Sequence, residues 1–214
     1  MTKFWPILAN DSLHEWNVTP LFSTPVSVTF IQDDLCEKIS NLCNSQKWRE
    51  DCSDIGYGSQ VTESINVLSD NSELKNSLKN ICHGLLSGVF KYDTDIQITT
   101  SWFTKVNENG SSGVHDHCNS WYSCVIYFDE YDEQSSKIQF YGNNNAIDPG
   151  KVFEYNYFNS IDWLYSPVRG SVFVFPSKVR HRIAPNKNSK ERYSLAFNIM
   201  PKGHVGTHDS SFNY

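Results

Sequence analysis

Short apolar runs separated by polar turns fill the chain from residue 94 onward. Each run is rich in Val, Ile, Thr, Tyr and Phe, which is the composition typical of β-strands. The runs cover residues 96–106, 121–128, 136–142, 152–158, 170–176 and 192–200. Several short strands at this spacing indicate a sandwich or a barrel.

The first part of the chain shows helical periodicity in two places, at residues 33–46 and 72–93. Asp33 or Asp34 is positioned to cap the first helix, and Ser72 the second. The apolar face of the second helix comprises Leu74, Leu78, Ile81, Leu85 and Val89. We therefore expect an all-β core with two helices packed outside it.

The remaining segments predict one domain with two short ends. Residues 20–31 alternate and are β-branched, which predicts a further strand, whereas the polar residues 47–72 predict loops. Residues 1–19 are expected to form an irregular arm. Because 214 residues suit a single large domain, we expect that domain to span residues 20–205, with a tail at 206–214.

Composition and charge exclude several classes of protein. The formal net charge of -6 comes without a basic stripe for nucleic acid, and no run of 18 apolar residues predicts a membrane span. The six cysteines contain no C-x-x-C pair, and the first residues lack the features of a secretory signal. We therefore expect reduced thiols in a cytoplasmic protein without nucleic-acid or membrane partners.

The segment GVHDHCNSW places His115, Asp116 and His117 side by side. In an extended segment residues i and i+2 point the same way, so the two imidazoles can converge on one ion while Asp116 points away. A third histidine, His181, follows a strongly apolar strand, and Arg192 opens the next strand eleven residues later. A β-sandwich brings such distant strands together, so their separation in sequence is no objection.

These residue types suit a non-haem iron site. Three protein ligands on one face of Fe(II) leave three adjacent positions open, which can take a chelating 2-oxo acid and dioxygen. The far carboxylate of the acid needs a fixed cation, and the planar fork of Arg192 suits it. Ser194 lies two residues further along the same strand face and adds a hydroxyl.

Five stretches of the chain resemble a known enzyme family. They are PLFSTPVSV, TTSWFTKVNENG, VHDHCNSWYSCVIYF, GSVFVFPSKVRHRIAPN and ERYSLAFNIMPKG, scattered over roughly residues 20–205. They resemble the Fe(II)- and 2-oxoglutarate-dependent dioxygenases, and most of all the prolyl-hydroxylase-like branch of phages and bacteria with an H-x-H-x-N-S motif. The distal H-x(10)-R-x-S pattern is moderately specific, whereas H-x-H is weak unless combined with it.

The resemblance implies a fold, a reaction and a site. The fold is a mainly β, cupin-like jelly roll (a double-stranded β-helix), with helices outside it. The reaction uses dioxygen to hydroxylate an unidentified substrate, with a peptide or protein side chain as a candidate, and releases succinate and CO2. By analogy, His115, His117 and His181 bind Fe(II), and Arg192, Ser194 and Tyr127 bind 2-oxoglutarate. If the chain is virus-encoded, its location is the cytoplasm of the host cell.

One departure from the family concerns the second metal ligand. Most such oxygenases have Asp or Glu where this chain has His117, so a three-His site carries one negative charge less. Asp116 is the reserve ligand if the segment is not extended. If the strand continues from His117 without a bulge, Ser123, Val125 and Tyr127 also face inward. Trp102, on the preceding strand, is then expected to wall the pocket.

Two other hypotheses remain open. Cupin metal proteins also combine H-x-H with a distal His, but they place a Glu four or five residues later, where this chain has Trp121 and Tyr122. A metal-free jelly-roll interaction protein would make the His cluster incidental. Cys118 and Cys124 flank the motif and are interpreted as small buried thiols rather than ligands.

Overall fold

A computed structural model describes the backbone of residues 4–9 and 12–17 and the whole of residues 19–142 and 150–213. Its two α-helices are α1 (Asp33–Asn44) and α2 (Ser72–His83). The first strands are β1 (Phe4–Ala9), β2 (Ser12–Asn17), β3 (Ser27–Phe30), β4 (Ser59–Val61), β5 (Asp95–Val106) and β6 (Tyr122–Ile126). They are followed by β7 (Ile138–Tyr141), β8 (Asp162–Tyr165), β9 (Ser171–Pro176), β10 (His181–Ile183), β11 (Arg192–Lys202), β12 (His204–Val205) and β13 (Phe212–Asn213).

Two antiparallel sheets build the jelly roll that the resemblance implies. The major sheet has the order β3-β9-β6-β11-β5-β4, and the minor sheet has the order β10-β7-β8. Two further antiparallel pairs, β1 with β2 and β12 with β13, lie outside these sheets. The prediction of a mainly β fold with helices packed outside it is therefore confirmed.

The alternation of β6 separates the two apolar cores. Cys124 and Ile126 face outward and pack with α1 and α2 in the larger core, together with Phe197 of β11. Val125 and Tyr127 face the other way, into a smaller cluster between the sheets that includes Phe140, Phe173 and Phe175. The helices thus cover one face of the major sheet, and its other face is directed toward the minor sheet.

Both predicted helices form, but their ends and faces differ from the prediction. Gln32 precedes α1 without capping it through its side chain, and Asp33 and Asp34 lie in the first turn. The cap of α2 is Asn71, whose side chain accepts from the Leu74 N–H at 3.1 Å, so Ser72 was wrong by one residue.

The buried residues of the second helix and the turn after it are spaced four apart. Leu74, Leu78, Cys82 and Leu86 are at most 2% exposed, whereas Val89, placed on this face from the sequence, is 67% exposed. After His83 the chain continues as a π-helical turn over Gly84–Val89. This wider turn rotates the following residues relative to a continuous α-helix, which explains why the predicted face ends early.

Several strand predictions were wrong. Residues 152–158 form no strand because their alternating aromatic side chains, among them Phe153 and Tyr157, lie exposed; the strand forms later, as β8. Within the predicted loop 47–72, β4 pairs with β5. Only Ser27–Phe30 of the predicted strand 20–31 is extended in a sheet.

The ends of the chain differ from the prediction in a similar way. The described part of the N-terminal arm is a hairpin of β1 and β2 rather than irregular chain. Pro6 in the first of these segments is unfavourable for a strand, and this concealed the pairing in the sequence. The division into arm, domain and tail stays a prediction.

The described residues also bear on the expectations about membrane spans and cysteines. No helix among them is long and apolar enough to cross a membrane. All six cysteines have free thiols.

The position of the buried helical face can be tested with two truncations. Leu86→Ala removes a fully buried side chain and should lower the free energy of unfolding by about 2–5 kcal/mol, because it leaves a cavity. Val89→Ala, three residues later, should change it by less than about 0.5 kcal/mol. Denaturant unfolding measures both values, and equal losses would contradict the observed face.

Candidate metal and cosubstrate site

Three histidines from distant parts of the chain meet at one place. The ligand atoms of His115, His117 and His181 all lie within 4.8 Å of one another. The ring centroids of His115 and His181 are 4.4 Å apart, and each lies 5.2 Å from the ring centroid of His117. Three imidazoles at this separation suit a single transition-metal ion.

Backbone hydrogen bonds hold the three histidines together. The N–H of each of His115 and His181 donates to the carbonyl of the other, both at 2.9 Å, which forms an isolated antiparallel bridge. The His117 N–H donates to the Ser177 carbonyl at 2.9 Å. The two segments that carry the histidines are therefore paired through their main chains, independently of any ion.

Further backbone contacts set the ring orientation of two of the histidines. His115 Nδ1 lies 2.9 Å from the Gly113 carbonyl, and His181 Nδ1 lies 2.9 Å from the Val179 carbonyl. Because a carbonyl only accepts, each Nδ1 carries the proton and donates it. The lone pair is then on Nε2, which is the state that a metal ligand requires.

Burial favours the neutral form of two of the rings. It lowers the pKa of His117 to about 4, with a smaller effect of the neighbouring His115 in the same direction. Burial likewise lowers the pKa of His181 to about 3, again assisted by His115. Both rings are therefore unprotonated near neutral pH and available to a cation.

A buried guanidinium lines the same cavity as the three histidines. Arg192 is 2% exposed and donates through Nη1 to Ser194 Oγ at 2.9 Å. Its Nη2 donates to the Tyr127 hydroxyl, and its Cζ lies 4.5 Å from the centre of the Tyr127 ring. The nearby charge of Arg192 lowers the pKa of the Tyr127 hydroxyl, but burial outweighs it and leaves that pKa raised.

The charge of Arg192 is incompletely satisfied within the described part of the chain. Its Nε is buried and has no hydrogen-bond partner there, and no described carboxylate forms an ion pair with it. A buried cation without a counter-charge is costly. This arrangement fits an anionic ligand with a carboxylate group at this end of the cavity.

One cavity of about 500 Å³ joins the histidines to Arg192. Its lining includes Tyr127, Ser194 and Trp102, the last as expected from the sequence. The ring centroids of Trp102 and His117 are 5.6 Å apart. The register of β11 against β5 explains the arrangement: Ser194 lies opposite Thr104, and Ala196 lies opposite Trp102. The inward faces of the two strands thus form one continuous wall.

The assumption that a strand continues from His117 is wrong, but the three later residues that it placed in the cavity do line it. Ser123, Val125 and Tyr127 do line the cavity. However, β6 begins only at Tyr122, and Asn119 has a positive φ of 54°, so the chain turns between His117 and the strand.

Asp116 and Cys118 lie away from the histidine cluster. The Asp116 carboxylate is 3.8 Å from Lys178 Nζ, which also donates to Cys118 Sγ at 3.4 Å. Cys118 is exposed, which corrects the expectation of a buried thiol, because it is on the turn that follows His117; Cys124 is buried as expected.

A segment predicted only as a loop contributes the rim of the cavity. Arg49, Asp54, Ile55 and Ile65 all line it, and the Arg49 and Asp54 side chains form an ion pair at 2.5 Å. Sequence reasoning missed these residues, since no spacing connected them with the histidines.

The rim segment is also bound to the segment before His115. The Gly113 N–H donates to the Ile55 carbonyl at 2.9 Å, and the Ser111 N–H donates to the Tyr57 carbonyl at 2.7 Å. A Cβ on Gly56 would lie 2.3 Å from the Ser111 carbonyl oxygen. Gly56 therefore permits a close backbone approach, and this glycine was the signal available in the sequence.

Comparison with known proteins indicates what the chain is similar to. Residues 100–198 match the family model described as "Putative 2OG-Fe(II) oxygenase". The matched segment is similar to the 2-oxoglutarate- and Fe(II)-dependent oxygenases. The match includes all three histidines, Arg192 and Ser194, and it indicates a 2-oxoglutarate-dependent non-haem iron oxygenase. None of the curated protein sequences matches the chain significantly.

Solved structures share the fold of these oxygenases at low sequence identity. A prolyl-4-hydroxylase from Pseudomonas putida is 18% identical with a TM-score of 0.60, over 86% of this chain and 96% of that chain. The viral collagen prolyl hydroxylase of Paramecium bursaria Chlorella virus-1 is 12% identical with a TM-score of 0.54, over 81% and 94%. HygX of Streptomyces hygroscopicus, with nickel and 2-oxoglutarate bound, is 10% identical with a TM-score of 0.57, over 83% of each chain.

The lowered pKa values predict acid sensitivity of the metal-free protein. Between pH 6.5 and pH 4 the unfolded chain binds protons at His117 and His181, whereas the folded chain does not. The free energy of unfolding should therefore fall as the pH falls through this window, by up to about 1.4 kcal/mol per pH unit for a fully buried ring. Partial exposure of His117 should reduce its share.

The measurement is denaturant unfolding of the metal-free protein at several pH values, for the wild type and for His181→Gln. The variant should show a shallower decline between pH 6.5 and pH 4. Equal slopes would mean that His181 titrates normally in the folded chain.

Proposed function

We propose that the chain is a dioxygenase in which His115, His117 and His181 hold Fe(II) and Arg192 anchors 2-oxoglutarate. The observation that carries the proposal is the convergence of three imidazoles in the same cavity as a buried guanidinium with a free Nε. Each feature alone has a structural explanation. Together they provide a cation site and an anion site within one cavity.

The protein's own part in the reaction is to position the metal and the cosubstrate and to enclose the cavity that holds them. The Nδ1 contacts of His115 and His181 fix the rings before any metal arrives, so little reorganisation accompanies binding. When bound, Fe(II) and 2-oxoglutarate supply the activation of dioxygen, with conversion of the 2-oxo acid to succinate and CO2. The apolar walls between the sheets, including Phe175 and Ile138, limit the access of water.

Arg192 and its neighbours form the proposed cosubstrate end. Ser194 and Tyr127 accept from the two Nη atoms and so hold the guanidinium in one orientation. The unpartnered Nε, a strong donor, remains for a carboxylate oxygen. Both hydroxyls also line the cavity and can each donate one hydrogen bond to the same carboxylate.

We propose that the prime substrate is a side chain carried by a peptide or protein. His115 and Val114 are exposed, so the metal end of the cavity opens directly to solvent. A side chain projecting from a larger molecule can reach such a site without entering completely. Two structures of similar fold are prolyl hydroxylases, which supports this substrate class by analogy alone.

The cupin alternative explains the three histidines but not the cosubstrate end. A metal-binding cupin without 2-oxoglutarate chemistry has no need of a buried, incompletely satisfied Arg192. The two proposals therefore differ most sharply in the effect of that residue on binding of a 2-oxo acid.

Anaerobic titration with Fe(II) and then 2-oxoglutarate tests the cosubstrate end. The wild type should develop the visible charge-transfer band of a chelated 2-oxo acid, and His181→Ala should not. Arg192→Met should need roughly 10- to 100-fold more 2-oxoglutarate, the loss expected for hydrogen bonds to a charged partner. The control is Arg180→Met, an exposed arginine outside the cavity, which should titrate like the wild type.

A folded wild type that binds Fe(II) but gives no band with 2-oxoglutarate would contradict the proposal in favour of the cupin alternative. An unchanged requirement for 2-oxoglutarate in Arg192→Met would remove that residue from the anchoring role.

The substrate proposal can be tested by mass spectrometry on a peptide library. With Fe(II), 2-oxoglutarate and dioxygen, a subset of peptides should gain one oxygen atom, in step with the succinate released. His181→Ala should produce neither change. Modification of small molecules but of no peptide, in a matched metabolite pool, would overturn the peptide class while leaving the oxygenase itself intact.

A further inference from the structure

The three-histidine ligand set leaves the cavity with an unusual charge. Oxygenases with a facial triad of two histidines and one carboxylate contribute one negative charge to the iron. Here the three candidate ligands are all imidazoles, and an imidazole coordinates a metal in its neutral form. With the proposed ligands bound, Fe(II) carries two positive charges, Arg192 carries one, and 2-oxoglutarate carries two negative charges. One positive charge therefore remains in the cavity. This argument rests on the proposed function.

No acidic side chain of the described cavity lining is free to neutralise that charge. Apart from the histidines, the charged lining residues are Arg49, Asp54 and Arg192, and the first two form an ion pair with each other. Asp116, the carboxylate nearest in sequence, faces Lys178 at 3.8 Å. An uncompensated charge in a partly enclosed cavity attracts an anion strongly, since the dielectric there is low.

Polar groups in the lining of the cavity are available to receive such an anion. Thr100 and Trp102 lie on the same inward face of β5, and the Trp102 ring contacts His117. Thr100 Oγ1 accepts from Asn198 Nδ2 at 3.1 Å, and its own proton has no acceptor among the described residues. The Trp102 indole N–H likewise has no acceptor there. These groups are donors, which suit an anion better than a cation.

We infer that the cavity beside His117 takes a monoanionic group in addition to 2-oxoglutarate. The group is a carboxylate of the prime substrate or a small inorganic anion, and the shared requirement is one negative charge next to the metal. His117 determines this selectivity, because an aspartate at the same position would supply the charge from the protein. Thr100 contributes a hydrogen bond to the anion.

The test uses Co(II) as a probe metal, whose visible bands respond to changes in coordination and surroundings. Protein loaded with Co(II) and 2-oxoglutarate in chloride-free buffer is titrated with formate and, separately, with chloride, at ionic strength held constant with perchlorate. The wild type should give a saturable spectral change with at least one of the two. Saturation by formate alone indicates a carboxylate of an organic substrate, and saturation by chloride alone indicates an inorganic anion.

The decisive variant is His117→Asp, which should bind Co(II) more tightly and the added anion at least tenfold more weakly. Its matched control is Asn119→Asp, which adds the same charge two residues away, outside this cavity, at a position whose φ of 54° Asp tolerates. The control should bind the anion within twofold of the wild type. Thr100→Val should weaken anion binding severalfold and leave Co(II) binding unchanged, which keeps the inference testable if His117→Asp does not fold.

The outcomes separate this inference from the proposed function. Failure of the wild type to bind Co(II), or to respond to 2-oxoglutarate, would overturn both. Normal binding of Co(II) and 2-oxoglutarate without a saturable response to either anion would overturn the anion site alone. So would equal anion affinity in the wild type and His117→Asp, because the neutral ligand would then have no part in selectivity.

Discussion

The reciprocal backbone hydrogen bonds between His115 and His181 are the constraint on which the site depends. They join two segments that are far apart in sequence and make the approach of the two rings a property of the main chain. The approach of the two rings therefore does not depend on an attraction between the side chains. Since the same main chain places the Gly113 and Val179 carbonyls next to the two Nδ1 atoms, orientation follows from the same pairing.

The long strand β11 extends this constraint to the other end of the cavity. It is paired with β5 from Arg192 to Lys202 and with β6 from Leu195 to Ile199, so Arg192 and Ser194 have fixed neighbours in β5. Arg192 therefore reaches the cavity from a paired strand, and its hydrogen bonds to Ser194 and Tyr127 orient the side chain before a ligand binds. A buried guanidinium held in this way is expensive in the empty protein, and a carboxylate offsets part of that cost.

The sequence predicted the elements whose signals are local. Alternation and β-branched composition located β5, β6, β9 and β11. The spacing of His181, Arg192 and Ser194 singled out three residues that the structure brings to one cavity. Residues 152–158 were wrongly predicted as a strand, because an alternating aromatic segment has the same sequence pattern whether or not a partner strand is present. The early end of the helical face, at Leu86 rather than Val89, followed from a π-helical turn that leaves no clear signature in composition.

The cavity rim was unpredictable for a different reason. Ile55 is brought to the histidines by the pairing of residues 55–58 with residues 107–113, and the Arg49 N–H donates to the Val61 carbonyl. Neither contact has a periodic pattern in the sequence. Gly56 was visible in the sequence, but a glycine in a polar segment has many explanations. Only the tertiary structure shows that its missing side chain is what lets two backbones touch.

That backbone contact has an evolutionary consequence. Ile55, at the mouth of the cavity, and Tyr57 share backbone hydrogen bonds with the segment that precedes His115. A lineage that remodels residues 55–58 to accept a new substrate therefore also shifts the backbone that supports the histidine cluster. Diversification of specificity should proceed more readily at Ile65 or Val114, whose exposed side chains can change without disturbing that shared backbone.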